Sequence, residues 1–202
     1  MTMPRDHKPG LAVMISGGGR TLVNIADAVD RGALNARIVL VIASAECAGA
    51  VKARQRGIDT RVIPGVIPRA ELERVLQEAN TDFVALAGYL KLVEVPAPYR
   101  GRMLNIHPAL LPHFGGPGMY GRRVHEAVLK AGDRESGCTV HVVDDEFDHG
   151  AIILQRRCPV LEGDTAETLA ARVFETEKGG YIEGIRRLVG LTRGELPRNR
   201  SS

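Results

Sequence analysis

The sequence predicts an α/β fold, a mostly parallel central sheet with helices on both faces in the Rossmann-like manner. Three observations carry that expectation. Short apolar runs alternate with helical patterns as far as Ala87, the rhythm of βαβ units. A chain of 202 residues fits one domain and can bury its own core. Its make-up, 44% hydrophobic and 25% charged, is that of a globular protein rather than of a disordered or disulfide-stapled chain.

The elements follow in order. Residues 11–15 form the first strand. After the turn at Gly17, Gly18 and Gly19, the residues Leu22, Ile25, Ala26 and Val29 recur at helical spacing, with Gly32 as the stop. Residues 37–43 read as a buried strand, 48–56 as a helix ended by Gly57, and 61–63 as a short strand stopped by Pro64. Leu72, Val75, Leu76 and Ala79 repeat the helical stripe, and residues 82–87 make the next strand. Right-handed crossovers turn these three units into half of a Rossmann-like sheet, which places ligands at the carboxyl ends of the strands. Prolines and glycines then crowd residues 89–121, a site-forming loop region broken by the apolar segment 103–106.

A helix is expected over 122–130, followed by extended segments at 138–143 and 151–157 that form an antiparallel or mixed edge around the acidic turn 144–150. Asp164 and Glu167 have the spacing of a capping box and open a last helix to about Val189, although Gly179, Gly180 and Gly184 argue against a straight course. The domain is thus expected over 11–190, between a flexible arm at 1–10 and a flexible tail at 191–202.

Charge and composition narrow the partners. A net charge of +3 and 4% aromatics with no Trp give neither the basic footprint nor the stacking surface of a nucleic-acid binder. No apolar run approaches the roughly 20 residues that cross a bilayer. Cys47, Cys138 and Cys158 are too scattered for a disulfide framework or a zinc site, so a reducing cytoplasm and no metal are expected.

Three clusters carry candidate chemistry. Ser16-Gly17-Gly18-Gly19-Arg20-Thr21 lies where the first strand meets the first helix, so free N–H groups and the helix dipole converge there. It reads either as a phosphate cradle or as a tight turn. Leu22 stands where a dinucleotide fingerprint wants glycine, and no P-loop lysine follows. Asn105 and His107 alternate onto one side of a strand end, an amide and an imidazole suited to acyl transfer or, equally, a satisfied core pair. The turn containing Asp144, Asp145, Glu146 and Asp148 is a solvated loop or supplies one carboxylate to His107. His125 and Glu126 fall on a helix expected to be exposed, and His141 on a strand face.

Together the segments 15–19, 86–91, Asn105-Ile106-His107-Pro108-Ala109-Leu110-Leu111-Pro112 and 137–148 resemble the folate-dependent glycinamide ribonucleotide formyltransferases of purine biosynthesis, in family order over about residues 11–190. That resemblance implies a formyltransferase fold and 10-formyltetrahydrofolate as co-substrate, with glycinamide ribonucleotide as acceptor and a monomer or homodimer as the working form. It implies Asn105, His107 and Asp148 as catalytic residues with His141 in support. It implies Gly19, Arg20, Thr21 and Glu177 at the ribonucleotide, and Leu90, Lys91, Leu92, Val93, Val143, Asp144, Asp145 and Glu146 at the folate. Two segments depart from the commoner family pattern, Gly19-Arg20-Thr21 in place of Gly-Ser-Asn and a longer glycine-rich stretch at 115–122. The alternatives are a related folate enzyme, formylating a sugar-nucleotide amine or releasing formate to water, and a non-catalytic binding module.

Overall fold

A computed structural model describes residues 8–190. The expected tail, 191–202, and most of the expected arm lie outside the described residues. Gly10, placed in the arm by the sequence, opens the first strand instead. Along the chain run β1 (Gly10–Ile15), α1 (Arg20–Asp30), β2 (Arg37–Ala43), α2 (Ala48–Gln55), β3 (Thr60–Val62), α3 (Arg69–Glu78), β4 (Phe83–Leu86), β5 (Met103–His107), α4 (Arg122–Ala131), β6 (Glu135–Val142), β7 (Ile152–Pro159) and α5 (Ala166–Gly190).

The strands make one sheet in the order β3-β2-β1-β4-β5-β6-β7. Pairing is parallel from β3 through β5 and antiparallel at β5–β6 and β6–β7. Strands covered on both faces need no polar alternation, which is why Leu40, Val41, Ile42 and Ala43 are all fully buried in one unbroken apolar run. Their side chains divide between two cores. Val41 and Ala43 pack with α1, α2, α4 and α5, while Leu40 and Ile42 pack with α3 and with Tyr89, Val93, Val95 and Tyr99. Helices therefore cover both faces, unevenly.

The strand order reverses between β1 and β4, and at such a switch point the loops part to leave a crevice at the strand carboxyl ends. Two features shape it. Gly19 caps α1 in a left-handed conformation, φ 72°, without a side-chain hydrogen bond, so the first turn of α1 keeps its N–H groups free of side-chain caps. A Cβ at Gly19 would also stand 2.6 Å from the Gly49 Cα, so glycine is required for the turn to lie against α2.

Helix α5 is unbroken across its glycines. The expected capping box lies one residue later than the sequence suggested, with Thr165 and Thr168 exchanging backbone and hydroxyl hydrogen bonds while Asp164 binds Arg172. Tyr181 is fully buried beneath the sheet, its hydroxyl 2.7 Å from the Leu86 carbonyl and 2.9 Å from the Leu104 carbonyl. It thus ties α5 to the ends of β4 and β5, next to Asn105. No helix among the described residues is long and apolar enough to cross a membrane.

Candidate active site

A cavity of about 300 Å³ occupies the crevice, walled by the ends of β4 and β5, by Arg20 and Thr21 of α1, by His125 of α4, and by Ala170, Phe174 and Glu177 of α5. Its floor is a polar cluster centred on Asp148. Strand register sets the cluster up, because Asn105 on β5 lies directly opposite His141 on β6. The Asn105 amide nitrogen donates to Asp148 Oδ1 at 3.1 Å and reaches His141 Nε2 at 3.1 Å. Since the Val142 carbonyl can only accept, His141 Nδ1 carries the proton that it donates there at 2.9 Å, which leaves Nε2 as the acceptor for Asn105.

His107 is held from both sides. Its Nε2 donates to the Phe114 carbonyl at 2.7 Å, and its Nδ1 lies 3.4 Å from Asp148 Oδ2. Both ring nitrogens face acceptors, an environment that the doubly protonated ring satisfies completely. Gly116 N–H adds a third contact to Asp148, at 3.0 Å from Oδ2. Burial works to raise the Asp148 carboxyl, but the hydrogen bond from His107, the charge of His107 and the Gly116 N–H together hold it well below the usual carboxylate range. Asp148 is therefore an anion throughout the physiological range. A carboxylate so held is a weak base, so it orients His107 and balances its charge better than it stores a proton. Its backbone sits at φ 54°, an uncommon left-handed conformation for a residue other than glycine and one that the surrounding contacts must enforce.

Arg20, Thr21 and Glu177, which the sequence grouped together, all line the cavity. Gly19 does not line it. Its role is the turn itself, packed on Gly49. Glu177 keeps part of its surface toward the cavity, yet burial dominates its carboxyl and pushes it up to about 7 against the nearby charges of Arg20 and His107.

Leu90, Lys91, Leu92 and Val93 form a strap that lines the same cavity, as do Val143, Asp144 and Glu146. Asp145 corrects the sequence reading, because it turns away from the cavity. It accepts from Val95 N–H at 2.9 Å and pairs with Arg100 at 2.6 Å and Arg69 at 3.2 Å, so it fastens the acidic turn to the strap from behind. The strap is fastened to the glycine turn as well. Leu90 N–H donates to Ser16 Oγ at 2.9 Å, Ser44 donates to the same oxygen at 2.7 Å, and Ser16 N–H donates to the Gly88 carbonyl.

Several lining residues were given no individual role by the sequence, among them Tyr89, Met119, Tyr120 and Phe147 within segments it had singled out and Phe174 outside them. His125 was expected on an exposed helix and is instead buried, with Nδ1 lacking a hydrogen-bond partner among the described residues. Its burial follows from α4 itself, in which Val124, His125 and Val128 form one inward stripe. The imidazole was part of the periodic face.

A Rossmann-like sheet with an amide, an imidazole and a buried carboxylate at its switch point defines an enzyme of the acyl-transfer class. Residues 10–185 match the formyl transferase family. The chain belongs to that family. It is 45% identical over 193 residues to the chloroplastic phosphoribosylglycinamide formyltransferase of Arabidopsis thaliana, covering 90% of this chain and 65% of that protein. To the trifunctional purine biosynthetic protein adenosine-3 of Bos taurus it is 43% identical over 178 residues, 84% of this chain and 17% of that one. The chain thus spans less than two thirds of the curated relatives it matches. Among solved structures, glycinamide ribonucleotide transformylase 1 from Symbiobacterium toebii superposes with a TM-score of 0.83 at 36% identity, covering 95% of this chain and 93% of that one.

Proposed function

We infer that this protein transfers the formyl group of 10-formyltetrahydrofolate to the primary amine of 5'-phosphoribosylglycinamide, a step of purine biosynthesis. The observation that carries the reading is the ionised Asp148 held by Asn105, His107 and the Gly116 N–H in a cavity that Arg20, Thr21 and Glu177 line together with the strap Leu90, Lys91, Leu92 and Val93. A cavity that combines a polar anchor, an extended strap and these catalytic groups suits a short anionic acceptor and a long planar donor. The names of the relatives point to the same acceptor and to transfer of a formyl group. The chemistry of a cytoplasmic enzyme is consistent with three free thiols, two of them buried.

The acceptor nitrogen attacks the formyl carbon, and the carbonyl oxygen becomes an oxyanion. Asn105 Nδ2–H and the protonated His107 are the donors that can shift from Asp148 toward that oxygen, a preorganised stabilisation worth more in a closed site than in water. Asp148 fixes His107 and balances its charge while the attacking amine loses its proton through water. The carbon–nitrogen bond to the folate then breaks, the folate nitrogen takes up a proton, and the product is a formamide. No side-chain nucleophile is needed. Cys138 is buried at the sheet and its thiol is pushed up to about 11 by that burial, so it stays protonated and inert.

The test is tetrahydrofolate release from 10-formyltetrahydrofolate with and without glycinamide ribonucleotide, in the native protein and in Asp148→Asn. Release is expected only with the acceptor, and D148N is expected to lose roughly 100-fold or more in turnover. Acceptor-independent release would make the protein a hydrolase instead, and an active D148N would remove the carboxylate's role.

A further inference from the structure

Arg20 and Phe174 form a pair that the chemistry above does not use. Arg20 stands at the start of α1 and Phe174 midway along α5, and both line the cavity. The Arg20 guanidinium carbon lies 4.1 Å from the centroid of the Phe174 ring. A guanidinium held against an aromatic face leaves its N–H edge open to bind an anion. Arg20 makes no hydrogen bond or ion pair among the described residues, so that edge is unspent. The other cation near the ring is differently placed, since Lys178 lies 5.8 Å from the centroid and is bound to Glu175 at 2.6 Å. Glu177, which lines the same cavity, interacts electrostatically with the guanidinium. Burial keeps its carboxyl at about 7, so near neutral pH it only partly offsets the charge of Arg20.

We propose that Phe174 is a positioning residue that holds Arg20 as the specificity-determining group for a phosphomonoester on the acceptor. The proposal rests on the acceptor reading given above and adds how the phosphate is chosen. A long side chain free in solvent loses rotamer freedom when it binds an anion, and stacking on Phe174 removes most of that loss in advance. The guanidinium then selects the phosphorylated acceptor over the same molecule without its phosphate. It also supplies, through a side chain, a contact that the residues Arg20 and Thr21 in place of Ser-Asn would otherwise leave to the turn backbone.

Calorimetric binding of glycinamide ribonucleotide and of its dephosphorylated riboside, beside turnover, tests this in the native protein and in F174L, F174Y, R20M and the double variant R20M/F174L. F174L is expected to weaken the ribonucleotide roughly five- to tenfold, raising KM with kcat and the folate KM unchanged, while leaving the riboside as it was. F174Y, which keeps the ring face, should bind like the native protein. R20M should lose at least roughly tenfold, and F174L should add nothing further in that background. Equal weakening of ribonucleotide and riboside by F174L, or additive losses in the double variant, would overturn the proposal. Ribonucleotide that binds with the expected pattern but is not formylated would overturn the acceptor reading and leave the Arg20–Phe174 pair standing. Formylation with native binding in F174L would do the reverse. No ribonucleotide binding by the native protein would overturn both.

Discussion

At the scale of single residues the site separates two carboxylates by their surroundings. Asp148 is enclosed by donors and stays charged, whereas Glu177 is enclosed without enough of them and is pushed up to about 7. A glutamate raised from its ordinary 4.5 costs the fold nothing below that value, begins to cost as the pH rises through the interval, and costs the full amount above 7. Glu177→Gln removes that cost. It is expected to leave stability nearly unchanged at pH 4 and to raise it at pH 8 by up to about 3 kcal/mol, an upper bound because the side chain is partly exposed. Urea unfolding at the two pH values checks this, and no gain at pH 8 would mean that the carboxylate is adequately solvated. Such a cost in stability fits a residue kept for ligand binding. Asn105 and His107 were legible because strand alternation and a proline-stiffened loop put them side by side. Asp148 was not separable from Asp144, Asp145 and Glu146 by spacing, since only the left-handed turn at Asp148 decides which carboxylate points inward and leaves Asp145 to its arginines.

At the scale of elements, the expected last helix runs through all three of its glycines, which sit there for different reasons. Gly180 and Gly184 face β6, where a Cβ at Gly184 would stand 2.6 Å from Val140 Cγ1. They are sites of close approach between helix and sheet. Gly179 faces solvent with nothing within 4 Å of an added Cβ. The two positions therefore predict opposite signs. Gly179→Ala should stabilise the protein by about 0.5 to 1 kcal/mol through helix propensity. Gly184→Ala gains the same propensity but must displace a β-branched side chain with little freedom at χ1, an overpacking cost of roughly 1 to 3 kcal/mol, so a net loss of about 1 kcal/mol is expected. Thermal unfolding of the two variants decides the matter, and a stabilised G184A would show that the helix can lift from β6 without cost. Strands were read more reliably than helix faces. The β2 limits agree with the sequence expectation because an unbroken apolar run between turn signals has few other readings, whereas α4 hid His125 because a polar residue was taken for a solvent-facing one.

At the scale of the whole molecule, the half-sheet from β1 to β4 was legible because three successive βαβ units with right-handed crossovers leave few arrangements of it. The enclosure of the site was not, since it depends on α5 returning from the far end of the chain to lay Phe174 and Glu177 against the turn after β1. The cavity is consequently lined by residues from Arg20 to Glu177, so a bound ligand touches segments drawn from most of the chain. Ligand free energy should then appear as stability of the entire fold rather than of one loop. A folate without a transferable formyl group, supplied at 100 times its dissociation constant, stabilises by about 2.7 kcal/mol if it binds only the folded state. For a domain of this length that corresponds to a rise in Tm of roughly 5 to 10 °C in a single unfolding transition. Calorimetry with and without the folate measures it. A split transition, in which only part of the heat absorption moves, would mean that the two ends of the cavity belong to independently unfolding parts, and would sever the strap from the catalytic cluster that Ser16 and Asp145 are placed to unite.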